Sequence, residues 1–164
     1  MGPSKNSRVA DFKGRPVYVI DDDADVGRSL HFLLETRQAA VTSFHSAREF
    51  LEAVDSLSPS PLIVDVRMPR MDGLQLIVEL SKRKVAWPAI VLSGHGDVAI
   101  AVKAVKLGAS DFLEKPVVAE ELETCLENAF RTLDNQLSTL QLGAQATQLW
   151  ALLTPREVTV LPVM

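Results

Sequence analysis

Cysteine is nearly missing from this chain of 164 residues: Cys125 stands alone, so no internal disulfide can form and a reducing compartment is acceptable. Long apolar runs are missing as well. Nothing approaches the roughly 20 residues of a membrane span, and Met1-Gly2-Pro3-Ser4-Lys5-Asn6-Ser7-Arg8 has no signal-peptide apolar core. The cytoplasm is the expected location, with no membrane partner. A basic excess is also lacking: the formal net charge is −4, so the chain carries no broad electrostatic footprint for wrapping nucleic acid.

What is present is a globular composition, 47% hydrophobic, in a length that fits one domain of about 100 to 150 residues plus a tail. Short β-type runs near 16–20, 39–43, 61–65, 88–92 and 111–114 alternate with segments of helical period. The helical spacing is carried by Val26, Leu30, Leu33 and Leu34, by Phe50, Leu51 and Val54, by Leu74, Ile77, Val78 and Leu80, and by Ile100, Val102, Ala104 and Val105. Ser58-Pro59-Ser60-Pro61, Trp87-Pro88 and Gly108 supply turn signals. Five βα units predict an α/β fold, a doubly wound five-stranded parallel sheet with five helices, because right-handed crossovers cover both faces. Leu62 to Val64 and Ile90 to Leu92 are apolar at successive positions, as strands buried on both faces should be.

After residue 118 the pattern changes. Leu126, Phe130, Leu133, Leu137 and Leu140 alternate spacings of four and three, which predicts a fifth helix extended beyond the sheet. About two heptads are sustained, short of the three or four that specify a coiled coil. Gly143 is expected to end this helix as a left-handed cap. Ala144-Gln145-Ala146-Thr147-Gln148 then reads as linker, and Thr154-Pro155-Arg156-Glu157 as the capping box of a new helix, interrupted by Pro162.

In such a sheet the carboxyl ends of the strands converge on one crevice. Asp65 follows Leu62-Ile63-Val64, Asp21 and Asp22 follow the first strand, Ser93 follows the fourth, and Lys115 follows the fifth. A carboxylate can attack phosphorus and hold an acyl phosphate. Clustered carboxylates repel an incoming phosphoryl group, so a hard cation is required; Mg²⁺ suits one or two carboxylates plus phosphate oxygens. Asp22 and Asp65 are expected to bind it directly, with Asp21 nearer the outer shell. Lys115 supplies a compact positive charge and Ser93 a hydroxyl donor.

Each residue also has a plain structural explanation. The run Asp21-Asp22-Asp23-Ala24-Asp25 could be charges at a helix start, favoured by the dipole; a calcium loop is unsupported because Phe32 occupies the twelfth position. Asp65 could be a turn residue, Ser93 a cap, Lys115 a surface lysine. All of these together are a poor account of five residues at the ends of four strands. His31, on the outer face of a helix, and His45, in a loop, receive no role, and Met68 and Met71 are read as packing.

Val19-Ile20-Asp21-Asp22-Asp23, Asp65-Val66-Arg67-Met68-Pro69 with Asp72-Gly73, Ser93-Gly94-His95-Gly96-Asp97 and Gly108 to Pro116 together resemble a response-regulator receiver domain, from about Pro16 to Arg131. Ser93 to Val98 and Leu153-Thr154-Pro155-Arg156-Glu157 resemble the FixJ-like branch, whose members carry a LuxR-type helix-turn-helix. The resemblance implies a receiver (flavodoxin-like) fold. It implies Asp65 as phosphoacceptor for a sensor histidine kinase, and Mg²⁺ (or Mn²⁺) held by Asp21, Asp22, Asp65 and the Arg67 backbone carbonyl. It further implies Lys115 as phosphoryl contact, and Ser93 with Phe112 as a switch pair that controls homodimerisation through residues 97–130. Arg67 and His95 stand where similar proteins tune the phosphoryl lifetime.

The expected organisation is a tail at 1–14, a receiver at 15–131, a linker helix at 132–149 and the start of a truncated LuxR-type domain at 150–164. DNA binding is then expected only with that domain restored, and the chain is no enzyme beyond its own phosphorylation and dephosphorylation. Gln38 or Ala39 stands where relatives usually have Gly. A stand-alone receiver acting through a protein partner is the alternative. An aspartate-nucleophile phosphatase of the haloacid-dehalogenase type fits less well: neither Asp21-Asp22-Asp23 nor Asp23-Ala24-Asp25 is followed by Thr or Val at the offset it requires, and the chain leaves little room for a substrate cap.

Overall fold

The structure is a computed structural model and describes residues 10–94 and 96–152, with side chains to residue 139. Five parallel strands, β1 (Pro16–Ile20), β2 (Ala40–Phe44), β3 (Leu62–Asp65), β4 (Ala89–Ser93) and β5 (Asp111–Glu114), lie in the order β2-β1-β3-β4-β5. Between and after them run α1 (Ala24–Thr36), α2 (Ala47–Ala53, with a 3₁₀ turn at Val54–Ser56), α3 (Gly73–Lys82), α4 (Val98–Lys106) and α5 (Ala119–Leu152). The doubly wound α/β fold read from the alternation is the one observed. Three strands begin one residue later than the sequence pattern suggests, because Ala39, Pro61 and Pro88 precede the ladder.

Successive strand residues point to opposite faces, and the core divides accordingly. Tyr18, Ile20, Leu62, Val64 and Val91 pack with Phe50, Leu76 and Ala104 on the side of α2, α3 and α4. Val17, Val19, Ile63, Ile90, Leu92 and Leu113 pack with Leu30, Leu34, Leu122, Leu126 and Phe130 on the side of α1 and α5. β3 and β4 are buried at every position, which explains their unbroken apolar sequence. Met68 is buried and Met71 packs against the first cluster, as packing residues should.

Two elements depart from their sequence patterns. On α4 only Ala104 is buried, while Val98, Val102 and Val105 are 71%, 50% and 59% exposed. This short helix meets the sheet through Ile100, Ala104 and Leu107, so half of its apolar residues point outward. The second departure is α5, which does not end at Gly143 but runs on to Leu152 through the stretch read as linker. A glycine inside a helix costs only about 1 kcal/mol, and the neighbouring Gln, Ala and Leu residues are good helix formers. The segment after residue 152, with its capping box, lies outside the described residues.

The starts of α1, α2 and α3 are set by side-chain caps. Asp23 accepts the amides of Asp25 and Val26, Ser46 that of Glu49, and Asp72 forms a reciprocal box with Gln75. Immediately after that cap, Gly73 brings α3 against β3: a Cβ there would lie 2.5 Å from the Asp65 carbonyl oxygen and 3.0 Å from Val64 Cγ1. No flexible group is available to yield. Gly73→Ala is therefore expected to lower stability by about 1–3 kcal/mol or more, read by urea denaturation; an unchanged midpoint would contradict this packing.

Candidate functional site

Parallel register builds the site. Ile20 pairs with Val64, so the next residues, Asp21 and Asp65, emerge side by side from β1 and β3. The Asp21 backbone N–H donates to the Phe44 carbonyl at 3.0 Å, and the Val66 N–H donates to Leu92 at 2.9 Å, which fixes both strand ends. Both carboxylates are buried, Asp21 at 3% and Asp65 at 4% exposure. Asp22 is exposed beside them, and carboxylate oxygens of all three lie within 4.8 Å of one another. The acidic run thus divides its work: Asp21 and Asp22 face the crevice, Asp23 caps α1, and Asp25 pairs with Arg28 on the surface.

Lys115 stands over the pair. Its Nζ is 3.2 Å from Asp65 Oδ2 and 3.7 Å from Asp21 Oδ2, and its backbone N–H donates to the Ser93 carbonyl at 2.8 Å. The Lys115–Pro116 peptide is cis. Asp65 Oδ1 accepts the Arg67 N–H at 3.3 Å and Asp21 Oδ1 the Asp23 N–H at 2.8 Å. Asp21 Oδ2, by contrast, is buried with no hydrogen-bond partner. Burial above all pushes the Asp21 carboxyl up to about 6, with the negative charge of Asp65 adding to it; the Asp23 amide and Lys115 act in the opposite sense.

Such a group is incomplete in electrostatic terms. One lysine faces two buried carboxylates, and one buried oxygen has no donor. An all-oxygen donor set with a spare lone pair suits a hard divalent cation, so the residues present fit one. Buried carboxylate oxygen, cation and ammonium are also the parts that phosphoryl transfer requires.

The remaining expected residues lie around this centre. Ser93 is fully buried, and its hydroxyl donates to Asp97 Oδ2 at 2.9 Å. Phe112 is half-buried against the cluster beneath α4. The Arg67 side chain is 70% exposed and reaches Asp97 Oδ2 at 3.3 Å. His95 lies outside the described residues. Of the residues without an expected role, His31 pairs with Glu35 at 3.1 Å and His45 is exposed.

Residues 17–127 match the family model described as "Response regulator receiver domain". The chain belongs to the response-regulator receiver family. Phosphorylation by a histidine kinase is the general function of that family. Among relatives of this receiver, the transcriptional regulatory protein FixJ of Bradyrhizobium diazoefficiens is 40% identical over 141 residues, 86% of this chain and 69% of that protein. FixJ of Azorhizobium caulinodans is 54% identical over 101 residues, 62% of this chain and 48% of that protein. The solved structure of the response regulator StyR superposes with a TM-score of 0.82 at 32% identity, covering 92% of this chain and 76% of that one. The chain thus spans about half to two thirds of the length of these two curated relatives.

Sequence reasoning passed over two carboxylates. Asp97 holds the Ser93 hydroxyl, and Glu114 accepts the Gly96 N–H at 2.7 Å, tying the loop between β4 and α4 to the end of β5. Asp97 lies within a motif already singled out, but nothing in its spacing tells which way its side chain turns.

The raised Asp21 carboxyl has a consequence for stability. Unfolded, the group loses its proton near the ordinary value of 3.8; folded, it keeps it up to about 6. Deprotonation is thus harder in the folded state, and this residue makes folding less favourable as pH rises from about 4 to about 6. In metal-free buffer, Asp21→Asn is expected to abolish that part of the decline in urea-unfolding free energy. An identical pH slope in the two proteins would contradict it.

Proposed function

We propose that Asp65 accepts a phosphoryl group from a sensor histidine kinase, with Mg²⁺ (or Mn²⁺) held by Asp21, Asp22, Asp65 and the Arg67 backbone carbonyl. The observation that carries this reading is the Asp65 carboxylate, buried beside Asp21 and Asp22 and 3.2 Å from Lys115. One Asp65 oxygen attacks phosphorus. The P–N bond to the donor imidazole breaks, its electron pair returns to nitrogen, and the nitrogen takes a proton from solvent. A bound divalent cation supplies charge neutralisation for the carboxylates and the transferring oxygens. Lys115 holds one phosphoryl oxygen, while the burial of Asp65 keeps bulk water from the acyl phosphate. Beyond accepting the kinase's phosphoryl group, the chain's own chemistry is self-phosphorylation from small donors and autodephosphorylation.

The added phosphoryl group brings about −1.5 to −2 charge and three strong acceptors. Ser93 and Lys115 answer that demand by moving toward it, and Phe112, half-buried now, turns into the space behind Ser93. The affected surface is the one formed by α4, β5 and the start of α5. Val98, Val102, Val105 and Val118 stand exposed there, which supports homodimerisation as the response. The regulators named FixJ that this chain resembles are transcriptional; transcriptional output is accordingly proposed for a form that carries a complete DNA-binding domain. The proposed setting is the cytoplasm, and among the described residues no helix is long and apolar enough to cross a membrane.

Incubation with acetyl phosphate and Mg²⁺ is expected to add one phosphoryl mass to the wild-type chain and none to Asp65→Asn. Size-exclusion chromatography should show the phosphorylated form as a dimer. Val102→Asp with Val105→Asp should still be phosphorylated yet elute as a monomer. Phosphorylation of Asp65→Asn to the wild-type extent would refute the assignment of the acceptor.

A further inference from the structure

Aspartate is among the strongest helix N-caps, and Asp23 and Asp72 both use their carboxylates in that way. Asp97 occupies the same position before α4 and does not: its side chain makes no bond to the helix amides. Its Oδ2 instead accepts the hydroxyl of the fully buried Ser93 at 2.9 Å and faces the Arg67 guanidinium at 3.3 Å. The first-turn amides of α4 are left without this cap while the carboxylate is engaged elsewhere. Glu114 holds the adjacent Gly96 N–H, so Gly96 is tied to the end of β5.

We propose that Asp97 is a latch: it holds the Ser93 hydroxyl away from Asp65 in the resting protein and exchanges Ser93 for the N-terminus of α4 when the phosphoryl group forms. The proposal rests on the reading of Asp65 as phosphoacceptor and Ser93 as the hydroxyl that follows it. A serine has one proton to donate, so it serves either Asp97 or a phosphoryl oxygen. The new dianion and the Asp97 carboxylate compete for that proton and repel each other. A short backbone rotation away, the positive end of α4 offers an anion a favourable place. Release of Ser93 and completion of the α4 cap are thus one event, and it stiffens the helix that carries Val98, Val102 and Val105. Arg67, paired with Asp97 at rest, is freed at the same moment to face the added charge. Asp97 is a positioning residue: it acts through Ser93.

Beryllofluoride with Mg²⁺, an acyl-phosphate mimic, gives an equilibrium test by isothermal titration of the full chain. The proteins compared are the wild type, Asp97→Asn, Ser93→Ala and the double variant. Asparagine caps a helix as well as aspartate does, while its neutral bond to Ser93 is about half as strong as a charge-assisted one. Asp97→Asn is therefore expected to bind beryllofluoride roughly three- to tenfold more tightly than wild type. In the Ser93→Ala background the same substitution should change affinity by less than about twofold, because nothing is left to release. Equal gain in both backgrounds would overturn the latch, since removal of a negative charge alone would then account for it. Equal or weaker binding by Asp97→Asn, with a thermal midpoint no lower than wild type, would also overturn it. If Asp97→Asn unfolds early, Asp97→Ser, which also caps, is judged by the same comparison. Failure of the wild type to bind beryllofluoride would instead remove the phosphoacceptor reading, and the latch with it.

Discussion

Two buried carboxylates at the ends of adjacent parallel strands, faced by a single lysine, are the arrangement to which the rest of this molecule is fitted. Asp21 and Asp65 are side by side because Ile20 and Val64 are in register. Lys115 reaches both, with its Nζ 3.2 Å from Asp65 and 3.7 Å from Asp21. Burying like charges together is costly, and the raised Asp21 carboxyl and its orphaned oxygen show where the cost appears. The apolar layers on both faces of the sheet supply the rigidity that keeps the two groups from separating. Gly73 contributes at close range, letting α3 seat against the Asp65 backbone.

From this centre a chain of polar contacts leads outward. Lys115 is bonded through its backbone to Ser93, Ser93 through its hydroxyl to Asp97, and Asp97 to Arg67. Each link is short, and each involves a group that a new dianion at Asp65 would attract or repel. Beyond Asp97 lies α4, the least buried helix against the sheet, with three exposed valines. A helix held by so little apolar contact is one that a local change in charge can move. The opposite side, where α5 buries Leu122, Leu126 and Phe130, has no such freedom.

The fold was legible in the sequence because buried parallel strands and amphipathic helices differ in period. The unbroken apolar runs of β3 and β4 located the sheet's centre, and the polar residue after each strand marked its carboxyl end. Asp21, Asp22, Asp65 and Lys115 are therefore grouped by the sequence pattern itself. The outward face of α4 was not legible, since valines at helical spacing look the same whether they meet a sheet or solvent. Gly143 misled for a related reason: glycine ends helices often but interrupts them at low cost, and propensity alone does not choose. The partner of Ser93 depends on a side-chain rotation at Asp97, which no spacing encodes.

The most direct test of the central claim is a crystal structure of the chain with Mg²⁺ and beryllofluoride. The expected result is one cation on Asp21, Asp22, Asp65 and the Arg67 carbonyl, beryllofluoride on an Asp65 oxygen, Lys115 against a fluorine, and the Ser93 hydroxyl turned from Asp97 toward it. A cation bound elsewhere, or beryllofluoride absent from Asp65 at saturating concentration, would contradict the account.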